Sequence, residues 1–211
     1  MGKIVFFKTE NMANLKRRQI CKMRRNELLN VLKALEFASE KHKDQRRKGK
    51  ESTPYINHTI QVAAMLVEYG HEDDAELIQA AILHDTIEDT ETTPEELEKH
   101  FGHEVKCLVL EVTDDKNLPK EVRKQLQIDT APKKSDKAKK LKLCDKICNI
   151  KDIVSSPPSD WPLERRIEYL DWAEKVVRGL KGVHPILEEM FYKELSEGRE
   201  KLQGIRTRGD S

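Results

Sequence analysis

The stretch "AAILHDTIEDT", Ala80–Thr90, opens as an unbroken apolar run and then turns abruptly to His84, Asp85, Glu88 and Asp89. The apolar half, with the residues before it, predicts a mostly buried helix from Asp73 to about Thr86. An ionised carboxylate buried without a partner costs several kcal/mol or takes up a proton, so Asp85 at the end of such a helix needs a compensating charge. A metal ion supplies one. If the helix continues through Thr90, Glu88 lies one turn from both His84 and Asp85, and Asp89 lies one turn from Asp85. Four ionisable side chains then share one patch.

Helical periodicity extends in both directions from this segment. Upstream, Leu28, Val31, Leu32, Leu35 and Ala38 recur at helical spacing from Glu27 and fade into the basic loop "KHKDQRRKGKEST". "PYINH" starts the next helix, with Ile60, Ala63, Ala64 and Val67 as its expected apolar face and a stop near Gly70. Downstream, "TTPEELEKHFG" offers Thr93 as N-cap, Pro94 at the first helical position, Glu96 three residues past the cap and Gly102 as terminator. Further helices are expected over His103–Val112, Pro119–Ile128 and about Asp136–Val154, then, after "SSPPSDWP" with Ser159 or Asp160 as cap, a long one closing at Gly182 and a last one over Pro185 to about Leu195. No stretch alternates with a period of two for long enough to make a strand. The expected fold is all-α, a bundle of about eight to ten helices without repeats. Residues 27–197 are expected to form its single domain, residues 1–26 a disordered extension and residues 198–211 a frayed tail.

Lysine plus arginine (39) nearly balance aspartate plus glutamate (38), so nothing draws the chain generally to nucleic acid or to an anionic membrane, and any anion site has to be local. The apolar stretch near the start, "IVFF", is too short for a signal peptide, and no run approaches the roughly 18 apolar residues of a membrane helix. Four cysteines without a secretory signal fit a reducing compartment, and the expectation is a cytoplasmic protein.

His58 and Asp145 repeat the anomaly of His84 and Asp85. His58 sits in the first turn of an apolar-faced helix, and Asp145 sits in "LKLCDKICNI" with Asn149 one turn on. Imidazoles with carboxylates favour manganese, iron or zinc over magnesium, and two His with two Asp can hold one ion while leaving positions open for water and substrate. A lone buried His or Asp is usually a hydrogen-bonded core or capping residue. His, then His-Asp, then Asp, on separate apolar helices with two more acids a turn away, is poorly explained that way. Other features have simpler explanations. Cys144 and Cys148 read as small core residues, Trp161 and Trp172 as packing, and "DKAKKLK" as a solvent face from which Lys139 or Lys142 could graze a phosphate.

His58, His84 with Asp85, and Asp145 resemble the H…HD…D signature of the HD superfamily of metal-dependent phosphohydrolases. The motifs "RRK", "TPYINH", "HDTIEDT", "LEVTDDKNLPK", "KLCDKICNIKD" and "EYLDWAEKVVRGL" resemble, in order and spacing, the RelA/SpoT-type hydrolase domain, above all its short, hydrolase-only animal form, over roughly Glu27–Leu195. The resemblance implies the HD helical bundle and a hydrolase with one manganese ion that removes the 3′-pyrophosphate from guanosine tetra- or pentaphosphate, or the 2′-phosphate from NADPH. It implies His58, His84, Asp85 and Asp145 as metal ligands, and Glu88 and Asp89 as the pair that orients and deprotonates the attacking water. It also places Arg47 and Lys48 beside the nucleotide, Tyr55 and Asn57 along the approach to the metal, Asn149 beside the ribose, and Arg165 and Tyr169 at the distal phosphates or base. The implied partner is a small nucleotide, with neither nucleic acid nor membrane and at most a weak homodimer.

The chemistry of the residues agrees. A substrate carrying several phosphate charges explains cations near an acidic patch in a chain of balanced charge. Three rival functions are a different HD enzyme, a catalytically silent nucleotide-binding module and a helical nucleic-acid binder. The complete ligand set and intact Glu-Asp pair disfavour the second, and the charge balance disfavours the third.

Overall fold

The computed structural model describes residues 7–209, with side chains from 24 to 207. In chain order its helices are α1 (Phe7–Lys41), α2 (Ile56–Glu68), α3 (Ala75–Leu83), α4 (Thr86–Asp89), α5 (Pro94–Phe101), α6 (His103–Val112), α7 (Lys120–Thr130), a 3-10 turn (Ala131–Lys133), α8 (Asp136–Ser155), α9 (Leu163–Arg178) and α10 (Pro185–Gly209). Among the described residues the only β-type pairings are isolated bridges, Arg46 with Pro54 and Gly49 with Pro158, so the fold is all-α as expected. No described helix is long and apolar enough to cross a membrane.

Helix α8 forms the axis. Every residue from Leu141 to Cys148 is buried, and the helix touches α2, α3, α6, α9 and α10. That middle stretch has no solvent face, so its polar residues need partners inside the protein. The expected solvent face at "DKAKKLK" is partly corrected: Asp136 is exposed and Lys137, Lys139 and Lys140 are partly so, but Lys142 is buried. Around α8, Asp74 caps α3 by accepting from the Glu76 and Leu77 amides, Thr93 caps α5 by accepting from the Glu96 amide, and Ser135 caps α8 by accepting from the Ala138 amide.

Both ends of the described chain are helical beyond the expected domain bounds. Helix α1 reaches back through residues 7–26, since residues 3–48 contain neither Gly nor Pro and extending a helix costs far less than starting one. Residues 1–6 of the expected extension lie outside the described residues. At the other end α10 passes through Gly198 to Gly209, where a frayed tail was expected. Leu195 and Leu202, two turns apart, are both buried, and Arg199 pairs with Asp171 and Glu174 on α9. Gly198 leaves room for side chains of α8 and α9, because a Cβ there would stand 2.9 Å from Val154 Cγ2 and 3.3 Å from Leu170 Cδ2. Sequence pattern also misassigned one face. On α2, Ala63 points to the core as expected, but Ile60, Ala64 and Val67 are exposed, while Val62, Met65 and Leu66 are buried. That helix is apolar nearly all round, so periodicity alone does not choose its inner stripe. Nor does Ser159 or Asp160 cap α9, whose N-cap is Pro162.

Candidate active site

The helix expected to run to about Thr86 ends at Leu83, and the chain breaks at His84–Asp85, where Asp85 adopts φ −99° and ψ −1°. Two carbonyls at the end of α3 are taken by side chains: His84 Nδ1 lies 2.8 Å from Ala81 O, and Thr86 Oγ1 donates to Leu83 O at 2.7 Å. A carbonyl oxygen can only accept, so the ring nitrogen facing it carries a proton: in the neutral His84 ring that proton sits on Nδ1 and the Nε2 lone pair faces the protein interior. The break therefore fixes both the ring orientation and the tautomer that a metal needs.

Two helices deliver the partners. His58 comes from the first turn of α2, and Asp145 from the middle of α8. His58 Nε2 lies 3.3 Å from Asp145 Oδ1 and 3.9 Å from Asp85 Oδ2. His84 Nε2 lies 3.0 Å from Asp85 Oδ2 and 3.9 Å from Asp145 Oδ1, yet it is buried without the alignment of a hydrogen bond to either. Ligand atoms of His58, His84 and Asp145 all fall within 4.8 Å of one another. Asp85 Oδ2 adds a fourth donor beside them. A buried imidazole nitrogen without a hydrogen bond, facing two carboxylates, fits a cation well, and the mixed nitrogen and oxygen donors suit manganese, iron or zinc.

In the metal-free protein these groups compensate one another. Burial pulls the His84 imidazole down, but Asp85 and Asp145 outweigh it and lift the group to about 9. Burial opposes ionisation of Asp85 as well, and His84 and His58 more than offset it, holding the carboxyl well below its usual range. Asp145 is depressed too, despite burial, by Lys146, His58, Lys142 and His84. Lys146 Nζ stands 3.3 Å and Lys142 Nζ 3.9 Å from Asp145 Oδ2, and Asn149 Nδ2 donates to Oδ1 at 2.6 Å. Tyr55 adds a hydroxyl that donates to Asp85 Oδ2 at 2.6 Å.

Glu88 and Asp89 lie on α4 at the edge of this cluster. Burial, followed by the charge of Asp85, raises the Glu88 carboxyl above its ordinary value. Its Oε2 accepts the Asp114 amide at 3.1 Å, and Arg123 stands 3.9 Å from Oε1. Asp89 Oδ2 accepts from Gln45 Nε2 at 2.9 Å, and Lys116 pairs with Oδ1.

The expected substrate residues divide. Arg47 is half-buried and engaged, donating to Asp152 and, at 2.9 Å, to Asn149 Oδ1, which links it through Asn149 to Asp145. Tyr169 packs between Trp161 and Trp172, with ring centroids 5.9 and 5.3 Å away, and Arg165 lies over the Trp161 ring at 4.2 Å. Lys48 and Asn57 are exposed, and the hydrogen bonds joining the cluster do not include their side chains. Burial, followed by the positive charges of Arg165, Lys124 and Lys48, lowers Lys120 against an opposing Glu121. Sequence reasoning missed Lys120, Lys124 and Lys146. Their only signal was a lysine in "LPKEVRK" or beside Asp145, indistinguishable there from solvated charge. Cys144 and Cys148 stay in the core, where burial pushes the Cys148 thiol up to about 12.

Comparison with known proteins places this geometry. The HD domain profile matches residues 34–169. A Xenopus tropicalis protein named guanosine-3′,5′-bis(diphosphate) 3′-pyrophosphohydrolase MESH1 is 53% identical over 158 residues, which span 75% of this chain and 88% of that protein. The Homo sapiens protein of the same name is 50% identical over 164 residues, or 78% of this chain and 92% of its own. A solved structure described as a metazoan ortholog of SpoT that hydrolyzes ppGpp and plays a role in starvation responses superposes with a TM-score of 0.78 at 43% identity, covering 80% of this chain and 94% of that one. With its signature histidines and aspartates drawn to one buried point, the chain belongs to the HD-domain family, on the branch of the animal SpoT-like proteins.

Proposed function

We propose that this chain is a manganese-dependent hydrolase that removes the 3′-pyrophosphate from guanosine 3′,5′-bis(diphosphate), giving GDP and pyrophosphate. One observation carries the proposal: donors of His58, His84, Asp85 and Asp145 converge at a buried point with Glu88 and Asp89 beside it. The printed activity of the relatives supports the choice of substrate. Two imidazoles among the ligands favour manganese over magnesium. Bound there, the ion supplies Lewis acidity at the scissile phosphate and makes water a stronger acid.

The remaining chemistry belongs to the protein. Glu88 Oε2 is engaged by the Asp114 amide, so Oε1 is the atom that takes the proton of the attacking water. Its raised pKa suits a group that must accept a proton and return it. Asp89, tied through both oxygens, orients the water. Arg47 and Lys48 hold the nucleotide phosphates, Tyr55 and Asn57 line the approach, Asn149 meets the ribose, and Arg165 and Tyr169 meet the distal phosphates or base. The unit that acts is the helical domain from about residue 27 through Leu202, which lies in its core, in the cytoplasm, as a monomer or at most a weak homodimer.

Release of pyrophosphate from guanosine 3′,5′-bis(diphosphate) tests the proposal, run beside release of phosphate from NADPH, with manganese added and then chelated. Manganese-dependent pyrophosphate release is expected. Phosphate release from NADPH alone would move the function to a nucleotide 2′-phosphatase, and no release from either, with the metal bound, would overturn the substrate assignment.

A further inference from the structure

His42, just past the end of α1, is a buried imidazole for which the proposed reaction has no use. Its Nδ1 stands 2.6 Å from Gln45 Oε1, while its Nε2 is buried without a partner. Gln45 in turn donates from Nε2 to Asp89 Oδ2 at 2.9 Å. The direction of this chain is fixed by chemistry. A glutamine amide donates only from nitrogen and accepts only at oxygen, so giving Nε2 to a carboxylate leaves Oε1 for His42. The His42 proton therefore sits on Nδ1, which is consistent with a bare and unpartnered Nε2. Turning the amide over would set Oε1 against the Asp89 carboxylate, acceptor against acceptor.

The backbone holds the same two residues in place. The Gln45 amide donates to His42 O at 2.9 Å, and the Gln45 carbonyl accepts the Tyr55 amide at 3.0 Å. The His42 ring packs on the Tyr55 ring with centroids 5.0 Å apart, and the Tyr55 hydroxyl reaches Asp85. Asp89 is thus held differently at its two oxygens. Oδ1 is held by Lys116, a flexible side chain about half exposed, whereas Oδ2 is held by a glutamine that is itself pinned.

We infer that His42 and Gln45 are a positioning pair: His42 fixes the Gln45 amide, and Gln45 aims Asp89 at the attacking water. The inference deepens the proposed function and rests on it for the role of Asp89, though not for the existence of the chain.

Steady-state pyrophosphate release with manganese reads the effect on turnover. Gln45→Leu and His42→Phe lower kcat about 10- to 100-fold through a misplaced carboxylate. KM and manganese affinity stay within about twofold, since ground-state binding is untouched. His42→Asn restores most of the rate, because its Nδ2 can donate from near the place of the imidazole Nδ1. The double variant falls no further than Gln45→Leu, as expected for two links of one chain. Unchanged kcat in Gln45→Leu, or His42→Asn as slow as His42→Phe, would overturn the pairing. A second readout needs no substrate: exchange of the Gln45 side-chain amide protons, followed by NMR in the full chain, is slower in wild type than in His42→Phe. Equal exchange overturns the pair whatever the substrate. Slow exchange in a wild type that releases no pyrophosphate supports the pair and overturns the substrate assignment instead.

Discussion

Asp85 and Asp145 are held by groups that cannot leave, whereas Glu88 and Asp89, on the next turn of chain from Asp85, are held in part by groups that can. Around the first pair stand two buried imidazoles, two buried lysines, the Asn149 amide and the Tyr55 hydroxyl. Around the second stand a loop amide, an arginine at 3.9 Å, a pinned glutamine and an exposed lysine. The first environment keeps two carboxylates ionised at fixed points, as a metal site requires. The second keeps one carboxyl raised and one oriented, as proton transfer requires. Under the proposed function one short segment serves both purposes, because the helix breaks between His84 and Asp85.

Substitutions can separate the two pairs. The largest effect is expected from His84→Ala, in which manganese binding and turnover are lost together, read by metal titration beside pyrophosphate release. Turnover retained in the metal-free variant would end the distinction between a holding pair and a working pair. Glu88→Ala should fall on the other side, keeping manganese while kcat drops about 10²- to 10⁴-fold.

The pH dependence of the chelated protein sharpens the contrast. The His84 imidazole is raised to about 9 in the folded chain, against about 6.5 when unfolded. Its contribution to stability is therefore fully present below about pH 6.5 and is lost as pH rises through about 9, with a size on the order of 3 kcal/mol. Urea unfolding across that range should show the decline, and His84→Gln should lack it. Manganese affinity should move in the opposite sense, rising over the same range as the imidazole gives up its proton. A smaller effect is expected at Lys116→Ala. This pair is about half exposed on the lysine side, so stability should change by less than about 1 kcal/mol and kcat by only a few-fold.

The lesson about sequence follows from which residues announced themselves. His58, His84, Asp85 and Asp145 were legible because each is an ionisable residue set in an apolar helix, a combination that burial penalises. The caps at Thr93 and Gly102 were legible because they act on their own neighbours in the chain. Lys142 and Lys146 were not, since their burial depends on five other helices surrounding α8. Gln45 and His42 lay within a loop whose positive charge drew attention to Arg46, Arg47 and Lys48 instead. The inner face of α2 was obscured by its uniform apolarity, and the length of α10 by a glycine that marks close packing there and not an end.

His84 and Asp85 are joined by a single peptide bond, so their mutual placement is a local property of the break between α3 and α4. His58 and Asp145 reach the same point only when α2 and α8 have docked. An ion taken up there works as a rivet through three helices distant in sequence. It would then guard the chain against local opening and partial proteolysis, and chelation should expose cleavage sites well away from the site itself.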